Sequence, residues 1–137
     1  MLGEGSEPRG ARALSALLVV GGAVPIATGA FAVLTGAGGM PGQNEASASV
    51  ESELRFFAVF WIAYGAALIW TAPRAARETT LVRALMAVLF VGGIARAIAW
   101  AAEGRPHGLF IVLMAIELVM PPVVVLWQDR VAQRRAG

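Results

Sequence analysis

The stretch Ala84–Trp127, ALMAVLFVGGIARAIAWAAEGRPHGLFIVLMAIELVMPPVVVLW, decides the fold. It holds two apolar runs, parted only by Glu103-Gly104-Arg105-Pro106-His107. Each run is close to the ~20 residues that a helix, rising about 1.5 Å per residue, needs to cross ~30 Å of hydrocarbon. Neither run alternates in the manner of a membrane β-strand. So short a link forces antiparallel neighbours, and the two spans form a hairpin.

Working outward, two more apolar runs precede this hairpin. Helices are expected over about 13–36, 54–72, 83–102 and 108–127. The connection over 37–53 carries Gly38, Gly39, Pro41, Gly42 and Asn44, and that over 73–83 carries Pro73 and three Arg. The expected fold class is all-α: an integral membrane four-helix bundle. It is one domain over 1–137, with short tails over 1–12 and 128–137. Composition agrees, with 58% hydrophobic and 15% charged residues against roughly 25% charged in a soluble domain. Mean hydropathy is +0.69. The first run could be mistaken for a signal peptide ending near Ala30-Phe31-Ala32. It is about twice as long as a signal core, so it reads as a retained first helix.

Charge then orients the bundle. All 11 basic residues are Arg. Eight (Arg9, Arg12, Arg74, Arg77, Arg83, Arg130, Arg134 and Arg135) fall at one set of span ends, and two (Arg55 and Arg105) at the other. The positive-inside rule predicts that both termini are cytoplasmic. Trp70 and Trp127 would mark the inner interface and Trp100 the outer one. The pI of about 10.4 invites a nucleic-acid reading, but the Arg residues form no single stripe and net charge is only +2, so no nucleic-acid partner is expected.

Two ionisable residues lie within spans, Arg96 and Glu117. Buried charge is costly in lipid, so such residues face the bundle and find partners. Arg96 sits about 9 Å, and Glu117 about 13 Å, from their shared outer end at 1.5 Å per residue. Side chains lean toward the N-terminus of their helix, so across an antiparallel hairpin these two lean toward each other. A buried Arg96–Glu117 pair is expected. It would either fix helix register or form a polar pocket open to the outer leaflet. Tyr64 and Arg55 are the further candidate ligand-binding residues at that end. Glu51 and Arg55 have the favourable i,i+4 order, and Glu51 and Glu53 suit a helix start.

Small residues supply the packing signal. Gly22, Gly29 and Gly36 recur at seven residues along one face, while Gly65, Gly92 and Gly93 lie in the second and third spans. Such faces let helices approach closely, chiefly within the chain and secondarily between copies. Pro25 and Pro121-Pro122 would kink the first and fourth helices and free the carbonyls of Gly21, Glu117 and Leu118.

Zero Cys and one His, His107, leave no expected metal site and no cofactor. No phosphate loop, nucleophile elbow or HExxH motif is present.

The order Glu53-Leu54-Arg55-Phe56-Phe57, Gly92-Gly93-Ile94-Ala95-Arg96, Gly104-Arg105-Pro106, then Glu117 with Pro121, resembles the small four-span bacterial membrane proteins grouped as family 4345 of the domains of unknown function. The resemblance runs from about Ala13 to Trp127. It implies a bacterial plasma-membrane location and marks Arg55, Arg96 and Glu117 as signature positions; it brings no activity. The architecture is also similar to DoxX-like membrane proteins. The leading expectation is a bundle whose Arg96/Glu117 pocket binds a lipid or amphipathic small molecule. The alternatives are an accessory subunit of a membrane complex, and an embedded isomerase or cyclase with Glu117 as acid or base and Arg96 as its partner. A small multidrug exporter ranks last, because its key Glu would lie in the first helix. The expected partners are the lipid bilayer, a lipophilic small molecule, and a homo-oligomer or membrane-complex partner.

Overall fold

The computed structural model describes residues 9–42 and 45–136. Residues 1–8 of the expected N-terminal tail lie outside the described residues, as does Gly137. The described residues form four α-helices and no strand: α1 (Arg9–Thr35), α2 (Ala48–Thr71), α3 (Thr79–Glu103) and α4 (Gly108–Ala136). Short 3₁₀ turns at Ala37–Gly39 and Ala72–Arg74 follow α1 and α2. All four helices are long and apolar enough to cross a membrane.

The helices outrun the spans expected from sequence. α1 is already helical at Arg9, α2 begins at Ala48 rather than 54, and α3 at Thr79 rather than 83. The largest difference is at α4, which continues as helix to Ala136, through most of the stretch over 128–137. An apolar run measures the thickness of hydrocarbon. Backbone hydrogen bonding has no reason to stop where the side chains turn polar.

The ends are set by identifiable contacts. Ser47 caps α2, its hydroxyl accepting from the Val50 N–H at 3.3 Å, an arrangement typically worth about 1 kcal/mol. Gly104 ends α3 at φ +96°, a left-handed conformation that costs glycine little, and its N–H donates to the Trp100 carbonyl at 3.0 Å. Pro25, Pro121 and Pro122 all sit inside helices that continue past them. Pro25 is buried against Gly65.

α1 and α2 form the first hairpin, α3 and α4 the second. The small-residue face of α1 is spent on α2. A Cβ added at Gly22 would lie 2.5 Å from the Gly65 carbonyl oxygen, and one at Gly65 would strike the Gly22 carbonyl. At Gly29 it would meet Ile62 Cγ1 at 2.7 Å and the Ala58 carbonyl at 2.8 Å. Gly36, at φ +63°, lies against the Glu51 carboxylate. The stripe therefore brings two backbones together along the helix, the geometry that dispersion rewards in lipid.

The hairpins join at the end holding the described termini, here the terminal end. Leu14, Leu18, Leu68, Ala72, Ala75, Val82, Met86 and Val124 form one buried cluster drawn from all four helices and the α2–α3 link. Polar side chains bind backbone there: the half-buried Ser15 Oγ donates to the Ala72 carbonyl at 2.6 Å and the buried Gln128 Nε2 to that of Ala75 at 2.5 Å. Arg83 and Asp129 pair at 2.6 Å beside it. Large apolar side chains face outward instead, among them Phe56 and Phe60, packed edge to face with centroids 4.9 Å apart. An outward apolar surface closing on buried backbone ties is what lipid demands.

Candidate functional site

At the other end, which carries the α1–α2 and α3–α4 links, the hairpins part. A cavity of about 630 Å³ opens between them, within the usual 300–1,000 Å³ of small-molecule sites. Val24, Thr28 and Ala32 of α1 face it, with Met40 and Pro41 of the first link. Phe57 and Trp61 come from α2, Val88, Gly92 and Arg96 from α3, and Phe110, Leu113 and Glu117 from α4.

The cavity's charged feature is the expected pair. Arg96 Nε donates to Glu117 Oε2 at 2.7 Å. Opposed lean on antiparallel helices brings the side chains together, and Gly93 gives the closeness: a Cβ there would lie 2.9 Å from Leu118 Cγ and 3.1 Å from Glu117 Cβ. Gly92, one residue earlier, faces open space within the cavity wall. The two glycines thus differ, one spent on packing and one leaving room. Glu117 is nearly covered, its side chain 9% exposed, whereas that of Arg96 is 39% exposed. The Arg96 guanidinium carbon stands 5.8 Å from the centre of the Phe110 ring, a cation–π distance. The arrangement is a guanidinium held by a carboxylate on one side and open to an apolar cavity on the other.

The remaining sequence candidates go elsewhere. Arg55 is a helix clasp: Nη1 pairs with Glu51 Oε2 at 2.6 Å and Nε donates to the Val33 carbonyl in the last turn of α1 at 3.1 Å. Glu51 also accepts from the Ala37 N–H at 3.0 Å. The pair therefore satisfies orphan backbone groups at the α1 terminus. Tyr64 donates to the Leu85 carbonyl at 2.8 Å and stacks on Trp61, with centroids 5.3 Å apart. It ties α2 to α3 behind the cavity; neither Tyr64 nor Arg55 is in its wall. Glu53 is exposed. His107 opens α4, its Nδ1 accepting from the Leu109 N–H at 3.3 Å.

Three participants escape sequence reasoning. Trp61 Nε1 donates to Thr28 Oγ1 at 3.0 Å across the cavity wall. Trp61 stands within a span rather than at its end, a signal that could have found it. Thr28 itself donates to the Val24 carbonyl at 2.8 Å and gives no such signal. Gln128, wholly buried at the terminal end, retains an unpartnered Oε1 among the described residues.

Fold and site together define a multi-pass helical membrane protein with a paired charge in the wall of an apolar cavity. Residues 13–128 match the family described as Domain of unknown function (DUF4345), and the chain belongs to that family. No curated protein and no solved structure shows significant similarity to it.

Proposed function

We propose that this protein holds a lipophilic or amphipathic small molecule between its two hairpins, with the Arg96–Glu117 pair as the polar anchor. One observation carries the reading: apolar side chains from all four helices surround a cavity whose charged groups, Arg96 and Glu117, lie together. Largely apolar walls with a few convergent polar groups are the usual composition of a small-molecule site. An ion pair that only fixed register would be favoured by closure on both sides, yet the guanidinium is left partly open. The small-residue faces around Gly22, Gly29 and Gly65 are consumed within the chain, which weighs against them as a contact for other subunits.

The eight-to-two distribution of Arg supports cytoplasmic termini and a cavity in the outer half of a bacterial plasma membrane. A reporter fused after Gly137 should report the cytoplasm; an external signal would reverse the orientation.

The binding reading is tested by mass spectrometry of small molecules released from protein purified in mild detergent. The unaltered chain is expected to carry a stoichiometric amphiphile. Gly92→Leu, whose Cβ would have nothing within 4 Å in the cavity wall, should lose it while the bundle stays folded. Equal retention by Gly92→Leu would contradict the cavity as the site.

A further inference from the structure

We infer that the molecule held in this cavity carries an uncharged, hydrogen-bond-accepting head, such as an alcohol, ester or ketone, on an apolar body. The inference rests on the cavity being a binding site and concerns which head it selects. The polar groups in the wall can be followed one by one. Trp61 Nε1 is spent on Thr28, and the Thr28 hydroxyl is spent on the Val24 carbonyl. Arg96 Nε is spent on Glu117 Oε2. Among the described residues, Nη1 and Nη2 of Arg96 donate to no acceptor. Glu117 Oε1 likewise accepts no hydrogen bond among the described residues, but it belongs to a side chain only 9% exposed; the two Arg96 donors are therefore what the site chiefly offers, and an acceptor answers them.

Charge then decides which acceptor. Among the described residues, the ionisable ones in the wall are Arg96 and Glu117, and their formal charges cancel. A bare guanidinium would favour an anion through two parallel hydrogen bonds. Here a carboxylate already lies 2.7 Å from that guanidinium. An anionic head would add a second negative charge among apolar walls, with no second cation in the wall to offset it. A cationic head would face the more open Arg96, while the Glu117 carboxylate is nearly covered. An uncharged acceptor uses the free donors and leaves the balance at zero.

The test uses the full chain in zwitterionic nanodiscs, titrated with hexadecanol, methyl palmitate, hexadecyl sulfate and hexadecylamine, with binding read by native mass spectrometry. The two uncharged probes should bind at least about tenfold more tightly than either charged one, a difference of about 1.4 kcal/mol. Glu117→Gln should shift the preference toward hexadecyl sulfate, because it leaves the Arg96 charge unbalanced. A wild-type preference for a charged probe, or equal binding of all four, overturns the uncharged head while the cavity stands. Binding of none of them overturns the cavity reading itself. The wild-type ranking decides the matter even if Glu117→Gln fails to fold.

Discussion

The two halves of this bundle use the same helices to opposite ends. In the terminal half, Leu14, Leu18, Leu68, Val82, Met86 and Val124 are at most 2% exposed. Polar side chains there tie backbone across elements: Ser15 to Ala72, Gln128 to Ala75, and Tyr64 to Leu85 at its upper edge. In the linked half the hairpins diverge around about 630 Å³ of space. The charged pair in the cavity wall, Arg96–Glu117, is internal to one hairpin and joins α3 to α4 without crossing to the other. Lipid-exposed helices gain little from the hydrophobic effect, so the gap forfeits dispersion contacts that a closed bundle would keep. The terminal half holds the hairpins together firmly enough for the linked half to stay open.

The comparison can be broken most severely through the charged pair. Arg96→Leu strands the Glu117 carboxylate and should destabilise the bundle by about 3–5 kcal/mol, read as a fall in thermal unfolding midpoint in detergent. Reversing both residues, Arg96→Glu with Glu117→Arg, should recover part of that loss, and a double-mutant cycle would measure the coupling. Strict additivity would show that the pair contributes no coupling. Next in size is Gly22→Val. Its side chain must displace the Gly65 backbone, so a loss of about 1–3 kcal/mol or more is expected. Gly92→Val, facing open space, should change stability little; an equal loss at both positions would erase the difference between packed and open halves. The smallest effect belongs to Arg83→Ala. It breaks an ion pair whose partners are 54% and 37% exposed, and such pairs contribute about 0.2–1 kcal/mol.

The fold was legible because hydrocarbon thickness imposes a length on apolar runs, and a four- or five-residue link leaves one topology. The Arg96–Glu117 contact was legible for a related reason: depth and lean are fixed by helix geometry on either side of a short link. The seven-residue glycine stripe likewise announced close packing within the chain, though not that α2 would be the partner. Arg55 and Tyr64 were less legible. Their distance along the chain put them near the same end as the pair, but rotation about the helix axis sends Arg55 to the α1 terminus and Tyr64 to Leu85. Periodicity was too weak in these uniformly apolar helices to reveal that rotation. A pocket beside the pair was expected, but its size and its walls on α1 and α2 were not legible, since they depend on the angle between hairpins rather than on any residue. Helix ends such as Ser47 and Ala136 lay in polar sequence, where an apolar window has nothing to report.

The central claim is that the charged pair serves the cavity and not the stability of the bundle. The most direct measurement replaces both charges at once, Arg96→Met with Glu117→Gln, and reads retained amphiphile on the protein as purified and thermal stability after delipidation, each beside the unaltered chain. Replacing a buried pair by uncharged groups of similar volume is often neutral or stabilising. The expected result is an unfolding midpoint close to that of the unaltered chain, with the bound molecule lost. A bundle that unfolds readily yet still carries its amphiphile would contradict the account, and would make the pair a fixture of helix register alone.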